Sequence, residues 1–430
     1  MSLDSEIASI VLAGGKGTRL FPLTLHHAKP AVPFGGKYRL IDIPISNSIN
    51  SSIRTIFVIG QFLTAELQHH IHQTYEFGPL LDARIDFLTP YENAQGERIW
   101  FKGTADAVRQ NLPHLLKGPA EYFLILSGDQ LYNIDFQKMF AFAKNMDADL
   151  TVASLPILPS AAKRLGILEI DPQKRIIGFC EKPSSDSLVK ALEMPTSLYK
   201  QLGLQQASEP HCLASMGIYI FKKTALMRLL EEDPREDFGQ HLIPTAIEQG
   251  RSFAYIHRGY WEDIGTIQSF YDANMALVEG KAGIDTGNEQ APIFAAPNYL
   301  PGPIIKNTKI TSSLISDGCL IEAKEVSHSI IGPGVHIGKG SVIKHSIVMG
   351  STPANYCINS TQDHFEKQGS WIGKDCYLEK VILDENVQIH NQVNLHNKTG
   401  LLQIDREHFY IREGIIVVPK EQMIHPDTSL

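Results

Sequence analysis

Cysteine, basic charge and long apolar runs are all scarce in this sequence of 430 residues. The five cysteines are dispersed without a C-x-x-C pair, which argues against a disulfide framework or a zinc site and favours a reducing cytoplasm. No apolar run approaches the roughly 18 residues that a membrane span needs, and the acidic N-terminal segment differs from a signal peptide. The 39 basic and 47 acidic residues give a net charge of −8, which argues against a nucleic-acid partner. We therefore expect a cytoplasmic globular protein of two or three domains, without a membrane or nucleic-acid partner.

The most informative segment is a glycine-rich loop near the N-terminus. An apolar run at 10–13 predicts a buried strand, and the loop after it reads Gly14-Gly15-Lys16-Gly17-Thr18-Arg19. Glycines let a polyphosphate approach the backbone N–H groups, and Lys16 and Arg19 add positive charge. The pattern is neither the Walker A sequence nor the Gly-x-Gly-x-x-Gly fingerprint. We expect a helix to follow the loop and to add its N-terminal donors to a phosphate cradle.

Two kinds of periodicity divide the chain. Up to about residue 278, short β-branched runs alternate with amphipathic segments, which predicts a parallel or mixed sheet covered by helices. Strands are predicted at 54–60 and 122–126, and helices at 62–72, 105–115 and 135–145. Residues 281–303 are rich in Gly, Pro, Asn and Ala and predict a linker or an extended connection.

Beyond that connection an aliphatic residue returns every six positions, often followed by glycine. A period of six is typical of a parallel β-helix built from hexapeptides. Residues 351–371 would form a loop that leaves the coils. We therefore divide the chain into domains 1–280 and 304–430, joined by 281–303. The series consists of Ile331, Ile337, Ile343, Met349, Ile372, Leu378, Leu383, Ile389 and Leu395.

Several polar residues follow predicted strands, where a sheet of this class binds its ligands. Lys29 is a candidate for neutralising phosphate charge, and Asp129, at a strand end, is a candidate ligand for Mg²⁺. Asp263 is a second candidate, although taken by itself it is better explained as a helix N-cap. Glu181 and Lys182, followed by a proline, fit a sugar hydroxyl and a sugar phosphate.

Other residues keep two interpretations. The amide of Gln61 is able to read a base edge. Trp100 and Phe101 fit either a base or a packed core. We expect the histidines of the 62–72 helix to be polar surface residues, because no carboxylate or thiol completes a metal set with them. These histidines are His69, His70 and His72.

Taken in order, these segments closely resemble the ADP-glucose pyrophosphorylase family, the glucose-1-phosphate adenylyltransferases, over nearly the whole chain. The resemblance implies an α/β, Rossmann-like nucleotidyltransferase domain with a mixed central sheet, followed by a left-handed parallel β-helix that serves assembly and allosteric control. The family is usually tetrameric, which implies a homotetramer. The most telling strings are LAGGKGTRLFPLT, AKPAVPFGGKYRLIDIPISNSINS, WFKGTADAVRQN, SGDQLY, FCEKP, SMGIYIF and GYWEDIGT.

The resemblance also implies an activity: ATP and α-D-glucose 1-phosphate give ADP-glucose and pyrophosphate with Mg²⁺, the committed step of glycogen or starch synthesis. Phe101 stands where bacterial members often carry an ATP-contacting tyrosine. A phenylalanine at this position keeps an aromatic ring for stacking but has no hydroxyl group for a contact. The implied catalytic residues are Arg19, Lys29 and Asp129, and the implied metal ligands are Asp129 and Asp263. The implied ATP contacts are Gly14, Gly15, Gly17, Thr18, Gln61, Phe101, Gly103 and Thr104, and the implied glucose 1-phosphate contacts are Gly166, Glu181, Lys182 and Ser215.

The family is generally allosteric, which implies a small anionic effector between the domains. Arg406, Arg412 and Lys420 match basic effector positions of relatives. Relatives carry lysine and arginine just before Ala-Lys-Pro, where this chain has His26 and His27. Because neutral imidazoles attract phosphate weakly and gain charge only as the pH falls through about 6.5, we expect activation that is weaker than in relatives with lysine, or that depends on pH.

Three alternatives stay open at this stage. The sequence also fits a nucleotidyltransferase that uses another nucleotide, and it fits a non-catalytic regulatory subunit of the same fold. Against the second alternative, all the implied catalytic residues are present. The β-helix alone also fits a hexapeptide acyltransferase, but its histidines have no recognisable acyl-CoA setting. Those histidines are His328, His336 and His345.

Overall fold

The structure is a computed structural model that describes residues 6–75, 83–92, 97–202, 211–352 and 369–426. Its first domain is built on a nine-stranded sheet that combines parallel and antiparallel pairs, as the alternation of runs predicted. Strands Leu150–Ile157 and Ser252–Ile256 branch from this sheet, the former pairing with Cys212–Lys222. The remaining strands lie in the spatial order Ile176–Glu181, Gly166–Ile170, Cys212–Lys222, Tyr122–Ser127, Ile7–Leu12, Thr55–Ile59 and Arg84–Leu88.

Helices cover both faces of the sheet, and apolar side chains from the two faces form two large buried clusters. The helices predicted at 62–72, 105–115 and 135–145 are confirmed within a few residues. Within the described ranges, no helix has the length and apolar character that crossing a bilayer requires. The α-helices are Asp42–Asn50, Thr64–Tyr75, Thr104–Leu115, Phe136–Asn145, Pro159–Ala162, Asp186–Ala191, Thr196–Gln201, Lys223–Glu232, Ile243–Gln249 and Ile267–Val278.

The prediction of a helix directly after the glycine loop is wrong. The chain forms a single 3₁₀ turn at Thr18–Leu20, and the first α-helix begins only at Asp42. Phe21 precedes a proline and has an extended backbone, with φ −59° and ψ 134°. A residue before proline is disfavoured in the helical region, and Pro22 has no N–H to donate, so a helix cannot continue through this point.

Two short antiparallel ribbons complete the first domain. One ribbon joins Pro33–Phe34 to Tyr38–Arg39. The other joins Gln130–Tyr132 to Trp261–Asp263 and pairs Gln130 with Asp263. This second ribbon brings the two aspartates predicted for metal binding next to each other, although they are far apart in the sequence.

The second domain is a parallel β-helix, as the six-residue period predicted. Successive coils contribute short strands to three sheets, and every aliphatic residue of the predicted series is buried. The predicted loop at 351–371 leaves between two successive coils, and its residues 353–368 lie outside the described residues. The first sheet contains Ile304–Ile305, Leu320–Ile321, His336–Ile337, Trp371–Ile372, Gln388–Ile389 and Met423–Ile424. The second contains Lys309–Thr311, Glu325–Ser327, Val342–Lys344, Tyr377–Glu379 and Asn394–His396. The third contains Leu314–Ile315, Ile330–Ile331, Ile347–Val348, Val381–Leu383, Ile415–Val418, Tyr410–Arg412 and Gln403–Asp405.

The two domains share part of one apolar core. Ile330, Ile347 and Ile415 of the β-helix belong to the same buried cluster as the first domain's own side chains. Residues 281–303 contain no helix or strand, and the Phe294 N–H donates to Ser46 Oγ at 2.9 Å. Since Ile293 beside it is also buried, the connection packs along the helix Asp42–Asn50.

Candidate active site

A cavity of about 610 Å³ opens beyond the carboxyl ends of the central strands, the position at which sheets of this class bind ligands. Ile59 and Ser127, which end two of these strands, contribute to its wall. Ten of the residues implied by the sequence line the cavity. They are Gly14, Gly15, Lys29, Gln61, Phe101, Gly103, Thr104, Asp129, Glu181 and Lys182.

The glycines of the loop have different physical roles. Gly17 has a φ of +63°, and a Cβ atom there would lie 2.8 Å from Thr24 Cγ2, so its side of the loop excludes any side chain. A Cβ atom on Gly15 would meet nothing within 4 Å. Gly15 therefore leaves open space in front of the backbone, which is what a close approach of phosphate requires.

Lys29 and Asp129 form a partly buried ion pair that lines the cavity. The Lys29 ammonium donates to one Asp129 oxygen, and the Ser127 hydroxyl donates to the other. Burial alone would raise the pKa of Asp129, but the charge of Lys29 and these two hydrogen bonds hold it below its usual value. Asp129 is therefore a carboxylate at neutral pH.

Asp263 lies beside Asp129 through the ribbon described above, and the Ile264 N–H donates to the Asp129 carbonyl at 3.3 Å. Burial and the charge of Asp129 raise the pKa of Asp263. Two neighbouring carboxylates repel each other, and a divalent cation between them would relieve the repulsion. The donor set therefore fits Mg²⁺, which takes one or two carboxylates in addition to substrate oxygens.

Glu181 and Lys182 lie at another side of the same cavity. The Lys182 ammonium is 3.0 Å from Glu181 Oε1 and is about half exposed (55%), so that it remains accessible to an anion. Two further residues expected at a sugar site, Gly166 and Ser215, do not line the cavity themselves but contact residues near it. A Cβ atom on Gly166 would lie 2.7 Å from Glu181 Oε2, and Ser215 accepts a hydrogen bond from the Gly217 N–H at 3.2 Å.

Gln61 joins two loops that border the cavity. Its Nε2 donates to the Gly14 carbonyl at 2.9 Å, and its Oε1 accepts from the Phe101 N–H at 3.0 Å. Phe101 is buried and lines the cavity, whereas Trp100 is 43% exposed and stacks on Phe62 at 5.2 Å. The sequence left both aromatics open to core packing or to contact with a base. Phe101 packs in the core at the edge of the cavity, and Trp100 does not.

One wall of the cavity was missed by the sequence analysis. The Glu236 carbonyl accepts from the Ala105 N–H at 2.8 Å, and a Cβ atom on Gly103 would lie only 2.3 Å from that carbonyl oxygen. Thr104 Oγ1 in turn donates to Asp237 at 3.2 Å. The close approach at Gly103 therefore holds the backbone of 236–239 against the start of the helix Thr104–Leu115. No motif in the sequence indicates this contact, because a backbone carbonyl carries no side-chain signal.

Thr18 and Arg19 lie outside this cavity and line an adjoining one of about 630 Å³, together with Lys16 and Phe21. A Cβ atom placed on Gly265 would lie 3.3 Å from Arg19 Nη1 and 3.3 Å from Asp263 Oδ2. Arg19 and Asp263 thus flank the same glycine, at the border of the two cavities.

The expected effector residues fall in separate places. His27 and Lys420 belong to a buried cluster between the domains, with three basic groups and three carboxylates. His26 and Arg406 are exposed, and Arg412 contacts the ring of Phe21. The cluster consists of His27, Arg39, Lys420, Glu66, Asp384 and Glu385.

The expectation that His27 is a neutral imidazole is wrong. Its two ring nitrogens lie 2.9 Å from Glu66 and 2.9 Å from Asp384. Burial opposes its charge, but these two carboxylates raise its pKa to about 10. His27, Glu66 and Glu385 lie close enough together to hold a metal ion, but Arg39 and Lys420 already donate to both glutamates. We therefore interpret the cluster as an ion-pair network.

The histidines to which the sequence analysis gave no ligand-binding role lie in different environments. His69 and His72 are exposed as expected, but His70 is buried, with its Nε2 2.7 Å from Asp42 Oδ1. His328 and His345 stack at 4.9 Å, and both have a φ of 46°, which places them at corners of successive coils.

Comparison with known families defines the class of protein. Residues 8–280 match the family described as "Nucleotidyl transferase", and residues 298–429 match the "GLGC left-handed parallel beta-helix domain". The first match covers more than half of the chain, which therefore belongs to the nucleotidyl transferase family. The two domains in this order are the architecture of ADP-glucose pyrophosphorylase, which confirms the family resemblance and the predicted left-handed β-helix.

Proposed function

We propose that this chain is a catalytic glucose-1-phosphate adenylyltransferase that makes ADP-glucose and pyrophosphate from ATP and α-D-glucose 1-phosphate. The observation that carries the proposal is the content of one cavity: an open glycine loop, the Lys29–Asp129 pair and the accessible Lys182 all face it. These groups fit a triphosphate at one side and a sugar phosphate at the other. The family membership supports nucleotidyl transfer in general.

In the proposed reaction a phosphate oxygen of glucose 1-phosphate attacks the α-phosphorus of ATP. A new P–O bond forms, the bond between the α-phosphorus and the α,β-bridging oxygen breaks, and pyrophosphate leaves with that electron pair. No proton transfer and no covalent enzyme intermediate are needed, so catalysis consists of positioning and charge stabilisation.

Each residue then has a physical task. Gly15 keeps the loop open to the triphosphate, while Lys29 and Arg19 stabilise the negative charge that moves onto the leaving group. Lys182 attracts the sugar phosphate, and Glu181 accepts hydrogen bonds from sugar hydroxyls. Asp129 and Asp263 would hold Mg²⁺, which supplies neutralisation of phosphate charge when bound.

The adenine end of ATP would lie toward Gln61 and Phe101. Phe101 offers an aromatic face for stacking, and the spare donor and acceptor capacity of the Gln61 amide is available to a base edge. Thr104 and Gly103 begin the helix against which the ribose would lie. These contacts do not by themselves distinguish ATP from other nucleotides. The choice of ATP rests on the family resemblance.

A regulatory subunit without activity is the second candidate. Such a subunit would lack one of the basic or acidic groups that charge stabilisation requires. Lys29 and Asp129 are present and paired, and Arg19 and Asp263 flank the same glycine beside them. This arrangement favours the catalytic alternative.

We further propose that the chain assembles as a homotetramer and that a small anion regulates it from the cleft between the domains. A cavity of about 540 Å³ borders the ion-pair network there and includes Arg39 and Lys420 in its wall. Because both cations are already paired with Glu66 and Glu385, we expect the anion to bind weakly. Activity with and without fructose 1,6-bisphosphate, 3-phosphoglycerate, AMP and phosphate tests this part of the proposal.

Product analysis tests the main proposal. The purified chain is incubated with ATP, glucose 1-phosphate and Mg²⁺, and ADP-glucose and pyrophosphate are measured by mass spectrometry and a coupled assay. We expect both products in equal amounts, and neither when glucose 1-phosphate or Mg²⁺ is omitted. Pyrophosphate without a nucleotide sugar would refute the assignment.

A further inference from the structure

One hairpin of the β-helix domain contacts two segments of the catalytic domain. The hairpin pairs Gln403–Asp405 with Tyr410–Arg412 in antiparallel register, and its second strand continues the third sheet through Ile415–Val418. It is an insertion between coils, since Asn394–His396 and Ile415–Val418 belong to successive strands of the helix. The two segments that it contacts are those that carry Arg19 and Asp263.

The first contact holds the turn of Arg19. The guanidinium carbon of Arg412 lies 5.4 Å from the centre of the Phe21 ring, and the Tyr410 ring meets Phe21 edge-on at 5.0 Å. The Phe21 N–H donates to the Thr18 carbonyl at 3.3 Å and so closes the 3₁₀ turn Thr18–Leu20. Fixing the Phe21 ring therefore fixes the backbone from which the Arg19 side chain extends.

The second contact holds the segment after Asp263. The carboxylate of Glu413 accepts a hydrogen bond from the Gln268 N–H at 2.7 Å, in the first turn of the helix Ile267–Val278. A carboxylate at this end of a helix interacts favourably with the free N–H groups and with the helix dipole. The Gly265 N–H donates to the Asp263 carbonyl at 3.0 Å, so the start of this helix is directly tied to Asp263.

The two contacts converge on one point. As described above, Arg19 and Asp263 flank Gly265. Arg412 and Glu413 are consecutive residues, and each holds one of the two segments that meet there. We propose that Arg412 and Glu413 are positioning residues for nucleotidyl transfer, which keep Arg19 and Asp263 in place from the β-helix domain; this inference rests on the proposed function.

Arg412 lines the same cavity as Arg19, and its own contacts fix the orientation of its side chain. Its Nη1 lies 2.6 Å from Asp405 Oδ1 and also donates to the Ile404 carbonyl at 3.1 Å. Its guanidinium plane is further engaged by the rings of Phe21 and Tyr410. A guanidinium with an ion-pair partner and two aromatic neighbours is held in a fixed orientation, as a positioning group requires.

The test uses the full-length chain with Arg412→Ala, Phe21→Leu, the double variant and Glu413→Ala, compared with Lys398→Ala. Lys398 is exposed just before the hairpin and serves as a charge-matched control. We expect Arg412→Ala and Phe21→Leu each to lower kcat about tenfold, with both KM values within about twofold. The double variant should be no worse than either single variant, because both remove the same contact. Lys398→Ala should match the parent.

A second measurement does not depend on activity. Hydrogen–deuterium exchange of the peptide covering 16–25 should rise several-fold in Arg412→Ala. Exchange of the peptide covering 263–272 should rise several-fold in Glu413→Ala. Neither peptide should change in Lys398→Ala. If the parent makes no ADP-glucose but exchange rises as expected, the proposed function fails and the anchoring by the hairpin stands. Unchanged exchange overturns the inference. So does a raised KM for ATP at constant kcat, which would make Arg412 a binding residue, or additive losses in the double variant.

Discussion

His27 Nε2 lies 2.9 Å from Asp384 Oδ1, which joins the segment after the glycine loop to the β-helix domain. Both side chains are almost fully buried, and the other ring nitrogen of His27 meets Glu66. A charged imidazole between two carboxylates satisfies both of its N–H donors. The interface between the domains is therefore held by charge as well as by the shared apolar core.

This relationship predicts a pH-dependent contribution to stability. The pKa of His27 is raised from 6.5 to about 10 in the folded protein, so its stabilising effect is complete below pH about 6.5 and declines as the pH rises toward about 10. We expect His27→Gln to lower the free energy of unfolding by about 3 kcal/mol near pH 6.5, because it leaves the buried Asp384 carboxylate without a charged partner. Thermal unfolding at pH 6.5, 8 and 10 should show the difference from the parent shrinking.

The matched control is His26→Gln, since His26 is the exposed neighbour. Its thermal midpoint should stay close to that of the parent at every pH. A difference between His27→Gln and the parent that is constant or grows with pH would contradict the charged state of His27.

Asp129→Asn should abolish turnover while the protein stays folded. The carboxylate pairs with Lys29 and is the better placed of the two candidate metal ligands, so we expect kcat to fall at least about a thousandfold. Circular dichroism monitors the fold, and Asp186→Asn, at a side chain that is 93% exposed, is the control. Turnover within about tenfold of the parent would make Asp129 a structural turn residue.

Lys182→Ala should weaken glucose 1-phosphate selectively. Lys182 lies in the cavity wall with its ammonium accessible, so its removal should raise the KM for the sugar phosphate at least about tenfold and the KM for ATP only slightly. Lys190→Ala, at an exposed lysine of a nearby helix, should change neither constant. Equal effects of Lys182→Ala on both substrates would refute the assignment.

Gly103→Ala tests the cavity wall that the sequence did not indicate. A methyl group there would meet the Glu236 carbonyl oxygen at 2.3 Å, so the backbone of 236–239 must move. We expect a loss of about 1–3 kcal/mol in stability and a higher KM for ATP. Gly118→Ala is the control, because nothing lies within 4 Å of the added carbon. If Gly103→Ala keeps the parental KM for ATP and the parental thermal midpoint, the backbone of 236–239 shifts without cost, which would contradict this expectation.

Local patterns predicted most of the fold. The apolar runs and the six-residue period follow from the packing of one side of each strand or coil, so Ile331 and its series were found without any long-range information. Glycine-loop chemistry and strand-end carboxylates likewise predicted a site at Gly15 and Asp129, which both line the cavity. The helix expected after the loop was wrong because Pro22 interrupts it.

What the sequence did not predict depends on partners that are distant in the chain. Whether a histidine is neutral depends on what surrounds it, and Asp384 lies 357 positions from His27. His70 was assigned to the surface because its partner Asp42 lies on another helix. The role of Arg412 beside Phe21 is equally invisible in either segment alone.

The most direct test of the account is a nucleotide panel with glucose 1-phosphate. The parent chain and Asp129→Asn are assayed for pyrophosphate release with ATP, UTP, GTP, CTP and dTTP at equal concentrations with Mg²⁺. The account predicts that kcat/KM for ATP exceeds that for every other nucleotide by at least about a hundredfold, and that Asp129→Asn shows no activity with any of them. A preference for another nucleotide, or a parent chain that releases no pyrophosphate at all, would contradict it.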